Sequence, residues 1–427
     1  MTDFGCTVLP SGLRVVTETM TGVRSASVGI WVGVGSRDEE PAQAGAAHYL
    51  EHLLFKGTSG RTAWQIAEQI DAVGGELNAF TSRERTCFYA HVLDTDLPLA
   101  VDLVTDVVFD GQCAESDTET ERTVVLDEIA MREDDPDDQL HELYTVALMG
   151  DHPLARPILG TEKSITGMTG AALRAFHRST YRPSNMVLAA AGNVRHEDVV
   201  RLVSAAAGPY LPGNSREPEP PRAGHAEFTP AGEVLLHSDD VEQARVMLGM
   251  PVMDRHDARR FALTVLNTAL GGGTSSRLFQ EVRERRGLAY QVYSSPVFYA
   301  DAGNLAVDAG CQPERLGELV RVLREVLADV AANGVTAAEV ARAKGQLRGE
   351  LVLRLEDTGS RMSRIGKNEL NFGRSFTVDE SLARIAGVTP EDVAVVARTF
   401  LRRVRAAAVV GPYSHVDELP GELLEAL

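Results

Sequence analysis

Apolar residues fall along this chain in two rhythms, and the pair of rhythms occurs twice. Strand-like runs open the first half at Leu13–Thr17 and Ser25–Gly33, and the second half at Glu233–His237 and Ala244–Met250. Further on, each half offers a strand leading into an amphipathic helix: Thr86–Val92 into Leu97–Val108, and Gly303–Asp308 into Arg315–Val330. Each half then closes on an apolar strand ending in glycine, Met186–Gly192 and Ala406–Gly411. Period-two runs predict strands and period-3.6 runs predict helices with one apolar stripe. The mixture predicts an α+β fold of two homologous domains, each a mostly antiparallel sheet with helices packed on one face.

Between the halves, residues 208–232 carry proline and glycine at a density that sustains neither helix nor strand. The predicted division is 1–210, a linker at 211–232, and 233–427. A chain of 427 residues is too long for one core, which agrees.

Composition narrows the function more than the fold. The net charge of -19 argues against nucleic acid, whose phosphates need a basic surface. That acidity serves solubility, or else draws basic peptides into an acidic cavity. No stretch has the roughly 20 apolar residues of a membrane span, and Met1–Cys6 shows no basic-then-apolar leader pattern. The four cysteines, Cys6, Cys87, Cys113 and Cys311, form no CxxC pair. A reducing, cytoplasmic setting is expected, with no membrane partner.

The chemistry concentrates in Ala46–Thr58, which contains His48-x-x-Glu51-His52. On a helix, residues four apart lie one above the other, so both imidazoles share a face and can hold one Zn²⁺. Glu51 shares that face and can reach a water at the metal, as a catalytic base. A third ligand must come from elsewhere, and Glu119–Ile129 reads as a helix bearing Glu121 and Glu128 two turns apart on one face. Two histidines and a glutamate form a catalytic zinc set. Glu128 is the expected ligand, with Glu121 orienting a histidine or the base. Asp134–Asp138 reads as a solvated loop. Gly271–Gly273 lacks the GK[ST] ending of a phosphate loop.

With these residues the chain resembles the pitrilysin/insulinase family of zinc peptidases, the inverted-motif inverzincins. The likeness covers nearly the whole chain. It also includes Gly74–Thr81, Asp135–Asp138, Pro157–Thr161, Tyr181–Asn185, Ala191–Val194, Ser276–Arg283 and Gly287–Tyr290. Size and layout are similar to the short, two-domain branch containing mitochondrial-processing-type peptidases.

Four expectations follow from the resemblance. The spacing from His52 supports Glu128 over Glu119 or Glu121 as ligand. Asn78, Ala79 and Phe80 lie where the family has its substrate-binding edge strand. Tyr290 matches the residue that hydrogen-bonds the oxyanion, and Arg283 the one that positions substrate. The family's chamber of four domains implies a dimer of this chain, with Arg283 and Tyr290 serving the partner's metal. The expected activity is zinc-dependent endopeptidase action on extended or unfolded peptides, with one Zn²⁺ per chain, because the second half has Val265–Thr268 in place of a metal motif. The alternatives are a non-catalytic subunit and the zinc half of a heterodimer.

Overall fold

The computed structural model describes residues 4–211 and 214–427. The strands are β1 (Phe4–Val8), β2 (Arg14–Thr19), β3 (Ser25–Val32), β4 (Glu76–Thr81), β5 (Thr86–Leu93), β6 (Met186–Gly192), β7 (Val234–Ser238), β8 (Ala244–Val252), β9 (Val292–Phe298), β10 (Gly303–Cys311) and β11 (Ala406–Gly411). The helices are α1 (Ala46–Leu54), α2 (Ala63–Asp71), α3 (Leu97–Asp110), α4 (Glu115–Glu133), α5 (Pro136–Met149), α6 (Glu162–Gly167), α7 (Gly170–Thr180), α8 (His196–Ala207), α9 (Arg260–Gly271), α10 (Leu316–Asn333), α11 (Ala337–Arg354), α12 (Thr358–Phe372), α13 (Val378–Gly387), α14 (Pro390–Phe400) and α15 (Gly421–Leu424).

The first sheet runs β1-β2-β6-β3-β5-β4 and the second β7-β11-β8-β10-β9. Remove β1 and the two orders match strand for strand. Each has one parallel pair, β2 with β6 and β7 with β11, and is otherwise antiparallel. This shared topology is the duplication expected from the repeated rhythms.

In the first unit α3 and α8 cover one face of the sheet, and Val28, Ile30, Phe88 and Ala90 pack with Leu103, Val104 and Val107. The expected helical layer on one face is there, and one further helix covers the other face. Met362 and Ile365 of α12 pack on Val16, Trp31, Val187 and Ala189. This explains why every residue of β6 is buried. Met186, Leu188 and Ala190 serve one core while Val187, Ala189 and Ala191 serve the other. Gly366 lets α12 approach closely, since a Cβ there would stand 2.3 Å from Trp31 Nε1. Arg361 and Arg364 of α12 are both held by Glu18 on β2.

In the second unit α5 takes the corresponding place. Tyr144, Ala147 and Leu148 pack on Met247, Ala306 and Ala408, and Tyr144 OH donates to Asn304 Oδ1 at 3.2 Å. Each unit therefore uses a helix from the opposite half of the chain. The first comprises residues up to Ala130, Arg156–Pro221 and Leu353–Phe376; the second comprises Met131–Ala155, Arg222–Val352 and Thr377–Leu427. Periodicity marks an apolar stripe on a helix but not the sheet that will receive it.

One segment differs from expectation. Asp134–Asp138 is not a loop throughout. Asp135 caps α5, its Oδ1 accepting from the N–H groups of Asp137 and Asp138 at 2.8 and 3.2 Å, and Pro136 takes the first helical position. Among the described residues no helix is long and apolar enough to cross a membrane.

Candidate metal centre

The helix that carries His48, Glu51 and His52 is held firmly at its start. Gly45 precedes α1 at φ 90°, a left-handed conformation that favours glycine. The Glu39 carboxylate accepts from the N–H groups of Gly45 and Ala47 at 2.8 and 2.7 Å, satisfying donors that a helix start otherwise leaves open. A Cβ at Gly45 would meet Leu159 O at 2.5 Å. Gly45→Ala is expected to destabilise the first unit by at least about 1 kcal/mol, read as a lowered urea midpoint. Tyr49, Leu50, Leu53 and Leu54 bury one face of α1, which leaves His48, Glu51 and His52 half-buried on the other. Tyr49 OH donates to Thr118 O, tying α1 to α4.

Glu121, Val125 and Ile129 are the buried stripe of α4, and Glu128 lies beside it. Glu128 Oε2 stands 3.5 Å from His48 Nε2 and 3.6 Å from His52 Nε2. Ligand atoms on a tetrahedral zinc stand about 3.3–3.4 Å apart, given bonds of about 2.0–2.1 Å. Among the described residues Glu128 Oε2 is buried and has no hydrogen-bond partner. Among the described residues the three side chains form the one group of three or more His, Cys, Asp or Glu whose ligand atoms converge, all within 4.8 Å of one another. An unpartnered carboxylate oxygen beside two imidazole nitrogens fits a divalent cation of borderline softness.

Neighbouring groups set the charge states. His52 Nδ1 lies 2.9 Å from Glu121 Oε1, which keeps its proton on Nδ1 and leaves the Nε2 lone pair free. Lys56 Nζ lies 2.5 Å from Glu121 Oε2. Burial pushes the Glu121 carboxyl up, but Lys56 and His52 outweigh it and hold it below its ordinary value. Burial, then the charge of His52, pushes His48 down to about 4, so its imidazole is neutral at pH 7. Burial raises the Glu51 carboxyl, partly offset by the Thr81 hydroxyl, which donates to Glu51 Oε2 at 2.6 Å.

Asn78, Ala79 and Phe80 lie on β4, the terminal strand of the first sheet, where Asn78 Oδ1 accepts from Ala79 N–H at 2.8 Å. Arg283 and Tyr290 lie together in the second unit. Arg283 belongs to a π-helical turn, Phe279–Glu284, and its guanidinium covers the Tyr290 ring at 4.5 Å. Arg283 Nη1 donates to Tyr290 O at 3.1 Å, and Tyr290 is 78% exposed. In the second unit the counterpart of α1 is α9. There Ser294 Oγ on β9 donates to Asn267 Oδ1 at 2.7 Å, which parallels the Thr81–Glu51 contact without an acid or a histidine.

Sequence reasoning missed Thr81, Lys56 and Glu39. Lys56 follows His52 by four residues, a signal that was available. Thr81 ends the Gly74–Thr81 segment that carries the resemblance, where its hydroxyl has no mark of its own, and nothing in the sequence points to Glu39.

A duplicated α+β chain in which two histidines and a glutamate converge has the donor set of a metal-binding protein. The comparisons specify the family. Residues 14–162 match the model described as Insulinase (Peptidase family M16), and residues 167–347 match the Peptidase M16 inactive domain. A Mycobacterium tuberculosis (strain H37Rv) protein named an uncharacterized zinc protease is 55% identical over 98% of this chain and 95% of its own length. The Bacillus subtilis protein named uncharacterized zinc protease YmxG is 40% identical over 94% of this chain and 97% of its own length. The crystal structure of a protease from Helicobacter pylori shares the fold, with TM-score 0.87 and 22% identity, over 96% of this chain and 99% of that one. This chain belongs to the insulinase family, peptidase family M16.

Proposed function

We propose that the chain is a zinc-dependent metalloendopeptidase that hydrolyses peptide bonds in extended or unfolded peptides. The observation that carries this reading is the convergence of His48, His52 and Glu128 beside an acid, Glu51, that does not join them. The zinc-protease names of the relatives support the metal and the reaction class. His48 Nε2, His52 Nε2 and Glu128 Oε2 would hold one Zn²⁺, which supplies Lewis-acid polarisation of a carbonyl and acidifies a water. Glu51, in its ionised form, accepts the proton of the attacking water and passes it to the leaving amine. Thr81 fixes the carboxylate that does this. Thr81→Val is therefore expected to lower kcat about tenfold with zinc content unchanged, checked by steady-state kinetics and metal analysis.

The edge of β4 offers backbone pairing to an extended peptide, which gives affinity with little sequence demand. A homodimer closes the chamber in this reading, and Tyr290 and Arg283 of one chain steady the oxyanion and the substrate at the metal of another. Mixing Glu51→Gln and Arg283→Ala chains tests that step, since activity above either alone requires complementation between chains.

The test of the function is a quenched-fluorescence peptide pool, assayed with the purified chain before and after chelation. Cleavage that disappears with chelator and returns with one equivalent of zinc is the expected result. A chain that binds zinc, dimerises and cleaves nothing refutes the peptidase reading in favour of a non-catalytic subunit. Activity that appears only with a second protein points to the zinc half of a heterodimer.

A further inference from the structure

Two cations meet at the seam between α12 and the β4–β5 hairpin, and among the described residues neither has a carboxylate partner. Arg85, at the end of the hairpin turn, donates from Nη1 to Asn371 Oδ1 at 3.4 Å. Lys367 lies one helical turn before Asn371 on α12, and its Nζ stands 5.4 Å from the Trp31 ring. Both side chains are half-buried. Nearby, Arg37 pairs with Glu84 at 2.7 Å, Arg14 with Glu369 at 3.8 Å, and Arg361 and Arg364 with Glu18, while the charge of Arg354 adds to that of Arg85 at Lys367. Burial, then the charge of Arg85, holds Lys367 below its ordinary value, and burial lowers Arg85 as well. Two cations kept side by side in a chain of net charge -19 cost stability unless an anion joins them.

The sheet register says which anion can arrive. Thr81 and Ala79 pair with Thr86 and Phe88, on the face of the sheet shared with α1 and α3. Phe80 and Asn78 pair with Cys87 and Tyr89, on the face covered by α12. Phe80 contacts Trp31 edge-on, with ring centroids 5.6 Å apart, and Trp31 is the residue beneath Lys367. A peptide added to the edge of β4 alternates its side chains between these two faces. One set points to the face of Glu51, and the other to the face where Phe80, packed on the fully buried Trp31, lies near the two cations.

We propose that Arg85 and Lys367, beside the half-buried Phe80 ring, form a subsite that takes a carboxylate of the bound peptide. This rests on the peptidase reading only for the peptide's placement on β4. It inverts the expectation from net charge, since the preference here is for an acidic group.

The probe is a fluorescein-labelled extended peptide of alanine, serine and threonine, carrying Glu or Gln at successive positions. It is bound to the full-length, zinc-loaded Glu51→Gln chain and read by anisotropy. A second pair compares a free C-terminal carboxylate with its amide, which separates an internal acid from a chain end. At one position, or at the C-terminus, the carboxylate should bind about tenfold or more tighter than its neutral match. The ratio should fall to about one in the Arg85→Gln/Lys367→Gln double variant. Equal binding of every matched pair, no binding of any, or a preference surviving the double variant overturns the proposal. The thermal midpoint of the double variant guards the result, because removing two repelling cations should leave it level or raised. A midpoint lowered by several degrees would make the pair structural and also overturn the proposal. Wild-type cleavage separates the two readings: equal hydrolysis of Glu and Gln peptides removes the subsite and keeps the peptidase, while carboxylate-selective binding without hydrolysis does the reverse.

Discussion

Glu51→Gln is expected to lower peptide cleavage by about 10²–10⁴-fold while the chain keeps its zinc. Glutamine has the same shape and can still accept the Thr81 hydroxyl, which lies 2.6 Å from Glu51 Oε2, so the loss is of proton affinity and not of position. The same substitution should not weaken the fold. Burial raises the Glu51 carboxyl above its ordinary value of 4.5, so the native state of the chelated chain disfavours the charged form. For an acid with a raised native value, the stability it contributes is complete below its unfolded value and is lost as pH rises through the native one. At neutral pH the chelated wild-type chain therefore carries a penalty that Glu51→Gln removes. The expected pattern is a chelated variant that melts at or above the wild type near pH 7, with the gap closing toward pH 4. A variant that loses both zinc and stability would mean that Glu51 is a structural acid.

That balance of lost activity against retained or raised stability is a general mark of a functional site, and it bears on how the site could be read from the chain. The relation of His48, Glu51 and His52 is fixed by local geometry, because three and four residues apart on a helix means one face. The distance from α1 to α4 is not local. Spacing put Glu121 and Glu128 on one face, and the choice of the residue meeting the imidazoles rested on the resemblance. The strands were legible because burial leaves its mark in the apolar residues, as in β6, which is covered on both faces and is one unbroken apolar run. The exchange of α5 and α12 was not legible. A stripe such as Met362–Ile365 would suit either sheet, and the choice depends on glycines such as Gly366 that let one helix come close. Thr81, Glu39, Arg85 and Lys367 were hidden for a related reason. Thr81, Arg85 and Lys367 act through partners far away in sequence, and Glu39 through backbone N–H groups that no side-chain pattern marks, while threonine, glutamate, arginine and lysine are ordinary surface residues until the fold buries them.

Glu121→Gln should weaken zinc binding by about 10–100-fold without removing any ligand. Glu121 is 4% exposed, and its carboxylate reaches His52 Nδ1 at 2.9 Å and Lys56 Nζ at 2.5 Å. An ionised carboxylate there makes His52 Nε2 a better donor to a cation, and an amide in the same place keeps the direction but gives up the charge. The sign with pH follows from the depressed carboxyl. Its contribution is complete above its ordinary value of 4.5 and is lost only as pH falls through the lower native value, so the wild-type effect is constant across neutral pH. Lys56 decides how the result is interpreted. If Glu121 acts mainly through His52, the Glu121→Gln loss should persist in a Lys56→Met background, with zinc affinity measured by competition against a chromophoric chelator. If the loss vanishes in that background, the ion pair with Lys56 was supporting α4, and His52 is oriented by something else. Equal zinc affinity in wild type and Glu121→Gln, with both chains folded, would remove Glu121 from the metal centre altogether.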